Sequence, residues 1–260
     1  MQGKVQSVKA ARIPWAHLRI PPFPQIAIRV LQLANTEAAS MRELSDLICS
    51  DPAFSSEVLT IASSPLYPRR VPVTTILQAI AVLGTQTLKG LCLTIGVRAY
   101  LGASLQQDSL RAIWRHGLAV ALIAEQLAFA GLQDKDAAYT AGIMHDVGRL
   151  VLAILQPKAY AALLQSHLID DWQLPREFEP IVAHHHSLKD RGQSWSMADL
   201  INVSCRMADA VGFAVFPGCK AMLYSDLLQE LPTRERGMFC PDAESLAFQV
   251  GSKINALESI

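Results

Sequence analysis

Residues 110–130 read LRAIWRHGLAVALIAEQLAFA, and their apolar side chains recur every three to four positions, the spacing of one face of an α-helix. Comparable patterns predict helices over residues 25–34, 74–83, 85–100, 110–130, 137–155, 158–171, 176–186, 198–213 and 242–257. The sequence shows no alternating strand pattern of useful length and no internal repeat. We therefore expect an all-α fold.

Capping residues mark two further helix starts. Ser40 with Glu43 three positions later forms a capping box, and Asp51 followed by Pro52 supplies a cap and a first-turn proline. Three prolines within residues 64–73 predict a connector, because proline cannot donate the backbone hydrogen bond of a helix interior. Residues 102–108 are the expected boundary between two helical halves, which we expect to pack on each other.

The composition describes a chain with a large core and balanced charge. Of its 260 residues, 51% are hydrophobic and only 18% are charged, which suits one large or two modest domains. Lysine plus arginine (23) equals aspartate plus glutamate (23), giving a net charge of +0. This balance provides no overall basic field that would attract nucleic acid or an anionic membrane.

The cysteines and the apolar segments indicate a cellular compartment. The five cysteines, at positions 49, 92, 205, 219 and 240, are scattered and include no CxxC pair, which is typical of reduced thiols in a cytosol. No signal sequence opens the chain, and the most apolar stretch, residues 76–97, is interrupted by Gln78, Gln86 and Lys89. We therefore expect a soluble, cytoplasmic protein without a membrane span.

Four side chains of metal-binding type lie on three of the predicted helices: His116, His145, Asp146 and Asp209. Imidazole plus carboxylate is a ligand set for divalent ions, which activate water against phosphate esters. Adjacent residues diverge by about 100° around a helix, so His145 and Asp146 can share an ion only over the edge between them. A second helix would then have to supply ligands opposite.

Each of these residues also has a purely structural interpretation. Asp146 could pair with Arg149, and Asp209 with Arg206, as ordinary i,i+3 ion pairs on a helix surface. His145 could be a core histidine bonded to a backbone carbonyl. Glycines at positions 142 and 148 lower helix propensity on both sides of the His-Asp pair, which predicts a close approach of a neighbouring helix or ligand.

Six motifs follow one another along the chain: Ile20-Pro-Pro-Phe-Pro-Gln-Ile26, Ser50-Asp-Pro-Ala53, Ala79-Ile-Ala-Val-Leu-Gly84, Trp114-Arg-His116, Gly142-Ile-Met-His-Asp-Val-Gly-Arg-Leu150 and His185-His186. In this order they resemble the HDOD family, the HD-related output domain of bacterial signalling proteins. The resemblance covers residues 14–215, with an N-terminal half (14–105) and an HD-like half (106–215). Residues 1–13 would be a leader and residues 216–260 a C-terminal helical extension.

The resemblance implies an all-helical fold whose HD-like half descends from metal phosphohydrolases. By position, His116 matches the first HD histidine, His145 and Asp146 the namesake pair, and Asp209 the final aspartate. These four residues would hold a divalent metal such as Fe, Mn, Zn or Ni. His185 matches one of the family's two later histidines and is a less favoured further ligand.

Two departures from the family pattern argue against hydrolysis. The chain is shorter than the family between residues 152 and 172, so a further histidine is missing there and His167 lies out of register. Arg149 stands where catalytic HD proteins with a His-Asp-x-Gly-Lys pattern have lysine, and a planar guanidinium is not equivalent to an ammonium at a phosphate site. No catalytic residue is therefore expected; in an active enzyme, Asp146 and Arg149 would have that role.

Three functions remain open. The resemblance favours a non-enzymatic signal-transduction module that binds protein partners, since the family often occurs beside cyclic-di-GMP and chemosensory components. The four retained metal-type residues support an alternative, a metal-dependent phosphohydrolase acting on a nucleotide or cyclic dinucleotide. A third function is a sensor that binds such a ligand without turnover. We expect neither a nucleic-acid partner nor a membrane in any of them.

Overall fold

The computed structural model of the protein describes residues 22–34, 36, 40–64, 67, 73–155, 195–215, 222–239 and 241–258. The first half contains α1 (Gln25–Ala34), α2 (Met41–Cys49), α3 (Pro52–Ala62), α4 (Ile76–Leu83) and α5 (Thr85–Leu101). The rest contains α6 (Asp108–Leu127), α7 (Lys135–Met144), α8 (Val147–Leu155), α9 (Met197–Ala208), α10 (Tyr224–Glu230), α11 (Thr233–Met238) and α12 (Ala243–Glu258). Because no strand occurs in these ranges, the all-α prediction is confirmed.

Both predicted helix caps are present. The Ser40 hydroxyl accepts the Glu43 N–H at 3.1 Å, while the Glu43 carboxylate accepts the Ser40 N–H at 2.9 Å. Asp51 accepts the Phe54 N–H at 3.0 Å, with Pro52 in the first turn of α3. These bonds satisfy backbone donors that a helix N-terminus leaves without an intrahelical partner, and so they fix where α2 and α3 begin.

The proline-rich motif near the start of the chain anchors α1 to α5. Phe23 is buried, and its ring packs against Gly96 of α5. A Cβ at Gly96 would lie only 2.8 Å from both the Ala27 Cβ and the Phe23 ring. The absence of a side chain at this position therefore permits the close packing of the two helices.

The two halves pack on each other through α5 and α7, as expected. The hydroxyls of Thr94 and Tyr139 are hydrogen-bonded at 3.0 Å, and Thr87 donates to Asp136 at 2.9 Å. The Tyr139 ring also lies over Gly90, where a Cβ would be 2.7 Å from it. These polar and apolar contacts connect the N-terminal helices to the HD-like half.

Helix α6 forms the centre of the HD-like half, with α7, α9 and α12 packed around it. A Cβ at Gly142 of α7 would lie 2.4 Å from the Ala121 Cα of α6, so the predicted close approach at this glycine is confirmed. Helix α12 is joined to α6 by ion pairs in which Arg111 and Arg115 both contact Glu258. The C-terminal helix α12 therefore packs against α6, the helix that carries His116.

Two sequence predictions are corrected by the structure. The single helix expected over residues 137–155 is divided into α7 and α8 at His145 and Asp146. The Gly142 carbonyl, which an uninterrupted helix would offer to the Asp146 N–H, receives the Nδ1–H of His145 at 2.6 Å. Pro232 and Pro241 in the sequence also predict a turn between them, but the structure has the short helix α11 there.

Some predictions fall on other parts of the chain. The helices expected over residues 158–171 and 176–186, and the leader expected over residues 1–13, lie outside the described residues. Among the helices that are described, none is by itself long and apolar enough to cross a membrane. The segments Ile76–Leu83 and Thr85–Gln106 reach that length and composition only when taken together, and they meet at a bend of 117°.

Candidate metal centre

The candidate residues come from three helical elements that pack together. His116 lies in the middle of α6, His145 and Asp146 lie between α7 and α8, and Asp209 directly follows α9. Cys205, in the last turn of α9, joins them. His116, His145, Asp146 and Cys205 are each no more than 4% exposed, so this group belongs to the interior of the HD-like half.

Two histidines and one cysteine form the core of the cluster. The ring centroids of His116 and His145 are 5.4 Å apart, and the Sγ of Cys205 lies 3.4 Å from the Nε2 of His116. One ligand atom from each of these three residues lies within 4.8 Å of the other two. Within the described ranges, this is the group of histidine, cysteine and acidic side chains whose spacing could hold a metal ion.

Backbone carbonyls fix both imidazole rings. The Nδ1 of His116 is 2.8 Å from the Phe213 oxygen, and the Nδ1 of His145 is 2.6 Å from the Gly142 oxygen. Because a carbonyl only accepts, each Nδ1 carries the hydrogen, and the lone pair of a neutral ring is on Nε2. Burial lowers the pKa of His116, which favours this neutral form. Metal-binding histidines are oriented in the same way.

The Asp146 carboxylate forms an ion pair with a neighbouring arginine. Its Oδ2 lies 2.5 Å from the Arg149 guanidinium and 3.7 Å from the Nε2 of His145. The i,i+3 ion pair expected from the sequence is therefore present, but its carboxylate is buried instead of lying on a helix surface. A buried carboxylate requires a cationic partner, and Arg149 supplies one from a side chain that is 21% exposed.

Asp209 lies at the Nδ1 side of the His116 ring, whereas Cys205 lies at the Nε2 side. The Asp209 Oδ1 is 3.4 Å from Nδ1, the nitrogen that already donates to the Phe213 carbonyl. The expected partner Arg206 instead forms a two-pronged ion pair with Glu230, with both contacts at 2.6 Å. Of the four expected ligands, the structure brings the two histidines together, while Asp146 and Asp209 each contact one of them.

Cys205 was missed by the sequence reasoning, which considered only CxxC spacing. The available signal was its position four residues before Asp209, because residues at i and i+4 lie on the same face of a helix. Burial raises the pKa of the Cys205 thiol, and the nearby Asp146 and Asp209 raise it further. The cysteine is thus a protonated thiol that can donate to the Nε2 of His116. His185 lies outside the described residues.

One comparison with known proteins identifies a family. The family model for the HDOD domain matches residues 20–167, more than half of the chain. No curated protein matches the sequence. The match begins in the proline-rich motif that anchors α1 and includes His116, His145 and Asp146.

Solved structures share the fold at low sequence identity. An HDOD domain protein from Geobacter sulfurreducens aligns with a TM-score of 0.64 at 18% identity, covering 93% of this chain and 92% of its own. A candidate metal-dependent phosphohydrolase from Shewanella amazonensis SB2B gives 0.64 at 19% identity, covering 90% and 92%. A candidate signal transduction protein from Marinobacter aquaeolei VT8 gives 0.62 at 22% identity, covering 92% of this chain and 58% of its own.

Proposed function

This chain belongs to the HDOD family, and from that premise we propose that it is a non-enzymatic signal-transduction module acting through protein–protein contacts. The observation that carries the proposal is the ion pair between Asp146 and Arg149 inside the HD-like half. A hydrolytic metal centre needs the His-Asp carboxylate as a ligand and an open position for water. Here the guanidinium already neutralises that carboxylate.

The burial of the cluster supports the same function. His116, His145 and Asp146 are at most 3% exposed, whereas an attacking water and a phosphate ester must both reach a hydrolytic centre. A buried, hydrogen-bonded cluster instead positions α6, α7 and α9 relative to one another. In this role, His116 and His145 stabilise the helical packing of the HD-like half, and the outer surface of that half binds partner proteins.

Large apolar side chains on that surface are candidate contact points. Phe129, in the short π-helix Ala128–Leu132 after α6, is 77% exposed, and Phe248 of α12 is 75% exposed. Aromatic residues are enriched at protein interfaces because they bury large apolar areas. We propose that at least one of these two phenylalanines contacts a protein partner.

A photo-crosslinking experiment tests this function. A benzophenone amino acid is placed at position 129 or 248 of the full chain, and at the exposed polar position of Asp108 as the control. In cells of the source organism, we expect position 129 or 248 to capture one defined protein, identified by mass spectrometry, that the control position does not. Equal capture at all three positions, or none, would contradict a partner-binding role for these surfaces.

Metal-dependent phosphohydrolysis is the second candidate function. It is favoured by the two histidines, each oriented by a backbone carbonyl, and by their grouping with Cys205. The name of the similar Shewanella amazonensis SB2B structure points to the same chemistry. In such an enzyme, one oxygen of the Asp146 carboxylate would bind the ion while the other stays paired with Arg149, as metal-binding carboxylates are often hydrogen-bonded by a second group.

A further inference from the structure

We propose that a cleft between the two halves binds one small organic monocarboxylate, with the Arg111 guanidinium as the group that holds its negative charge. The cleft, called the junction cleft below, is lined by Glu57 and Arg98 from the N-terminal half and by Arg111, Trp114 and Glu258 from α6 and α12. The site is separate from the candidate metal centre and does not depend on the proposed function. Three features support it: the size of the cleft, the positive charge in excess on one wall, and the carboxylates on both walls.

The junction cleft has the size and the place of a ligand site. Its volume is about 440 Å³. Small-molecule sites typically enclose about 300–1,000 Å³ and often lie between packed domains. Trp114, which forms part of the lining, is two positions before His116 on α6. Two such positions are separated by about 200° around a helix axis, so the cleft and the metal centre lie on different sides of α6.

One wall of the cleft carries a positive charge in excess. The Glu258 carboxylate at the end of α12 accepts from Arg111 at 3.1 Å and also from Arg115. Arg115 donates in addition to the Asn255 side chain at 3.2 Å, so two of its nitrogens are occupied. Arg111 contacts Glu258 through Nη2 alone, and its side chain is 56% exposed. Two guanidiniums thus share one carboxylate, and Arg111 keeps donors for a further anion.

Asp108 does not cancel this charge. It lies three positions before Arg111 on α6, makes no ion pair with it, and is exposed, so water screens their interaction. The pKa of Arg111 is raised chiefly by Glu258 and least by Asp108. The Arg111 guanidinium is therefore charged and remains accessible to an anion in the cleft.

The opposite wall is neutral, and together the walls set the charge of the ligand. Arg98 of α5 pairs with Glu57 of α3, with 2.9 Å between nitrogen and oxygen. A guanidinium fork matches the two oxygens of a carboxylate, which favours a bidentate contact with Arg111. Because the carboxylates of Glu57 and Glu258 both line the cleft, a second negative charge on the ligand would be repelled. A monocarboxylate therefore fits better than a phosphate ester, which carries about 1.5–2 negative charges at pH 7.

The rest of the lining suits a compact organic body. Ala99 and Leu105 contribute apolar surface, and the Gln106 side chain can both donate and accept hydrogen bonds. Ligand sites in proteins commonly combine apolar walls with a few polar groups that orient the ligand. Because the two walls come together only in the folded chain, a ligand bound between them should raise Tm.

Binding of defined carboxylates tests the site. The full, untagged chain is titrated by isothermal calorimetry with acetate, lactate, pyruvate and benzoate, and Tm is measured in parallel. We expect at least one of these carboxylates to bind with one molecule per chain and to raise Tm. Its uncharged amide should bind at least about tenfold more weakly, because the charge-assisted contact is lost. Inorganic phosphate should also bind at least about tenfold more weakly, because its second charge is repelled.

Two substitutions locate the ligand in the junction cleft. Arg111→Gln removes the charge at an exposed position and should weaken binding at least about tenfold. Ala99→Phe fills the cleft while leaving both arginines in place, and it should abolish binding; Ala99 is exposed, so the fold should tolerate the larger side chain. Arg42→Gln is the matched control and should bind like the wild type, since Arg42 is an exposed helical arginine outside the cleft lining.

Several results would overturn the proposal. Failure of all four carboxylates to bind the folded wild-type chain is the first, and it needs no variant. Unchanged binding in Arg111→Gln or Ala99→Phe, with folding confirmed by circular dichroism, is the second. Binding of phosphate at least as tight as that of the best carboxylate is the third. None of these results depends on whether the chain has a partner protein or hydrolyses a phosphate ester.

Discussion

Replacing Gly142 by alanine is expected to lower the free energy of unfolding by about 1–3 kcal/mol, the usual cost of inserting a methyl group into a closely packed core. The added Cβ would lie 2.4 Å from the Cα and 2.7 Å from the nitrogen of Ala121, and both atoms belong to the backbone of α6. Since a backbone cannot rotate away as a side chain can, α6 and α7 would have to separate. Urea denaturation followed by circular dichroism measures the loss.

Gly117→Ala is the matched control for this substitution. Gly117 lies in α6 and is also buried, but among the described residues outside its own helical turn a Cβ at this position would meet no atom within 4 Å. Alanine is favoured over glycine in a helix interior by about 1 kcal/mol, so this variant should be as stable as the wild type or slightly more stable. If both variants showed the same stability, the close approach of α6 and α7 at Gly142 would be contradicted.

Replacing Arg149 by methionine is expected to cost about 3 kcal/mol of stability, the lower end of the range for removing one partner of a buried ion pair. The substitution removes the cation that pairs with the Oδ2 of Asp146, a carboxylate that is 3% exposed. Methionine keeps most of the apolar length of the arginine, so the loss reports mainly on charge. Urea denaturation at pH 7 measures the difference.

Arg98→Met provides the comparison for that loss. Arg98 and Arg149 have nearly the same side-chain exposure, 20% and 21%, but Glu57, the partner of Arg98, is 31% exposed. Partly exposed ion pairs contribute at most about 1 kcal/mol because water screens them. Equal losses in the two variants would mean that Asp146 does not depend on Arg149 for its charge compensation.

Local rules predicted most of the fold from the sequence. The capping box at Ser40, the cap at Asp51 and the close approach at Gly142 all depend on residues whose conformational preferences are strong and short-range. The all-α class follows from apolar periodicity in the same way. The interruption at His145 could not be predicted, because it depends on a side-chain hydrogen bond to the Gly142 carbonyl that competes with the helical backbone pattern.

The candidate site was only partly predictable. His116 and His145 were identified from their residue types on predicted helices and from the family resemblance, and the structure places the centroids of their rings 5.4 Å apart. The role of Cys205 depends on how α9 packs against α6, a tertiary contact that no local pattern in α9 encodes. Similarly, the sequence predicted that Arg206 could pair with Asp209. In the structure, the Arg206 guanidinium forms its ion pair with Glu230 of the C-terminal extension.

A turnover assay on the metal-loaded wild-type chain tests the regulatory-module proposal most directly. Untagged protein is saturated in turn with Zn²⁺, Mn²⁺ and Fe²⁺ and incubated with nucleotides, cyclic dinucleotides and a generic phosphodiester. We predict product formation no faster than in the matching blank of metal and buffer. Metal-dependent turnover that disappears in a folded Asp146→Asn variant would contradict the proposal and would identify the HD-like half as a phosphohydrolase.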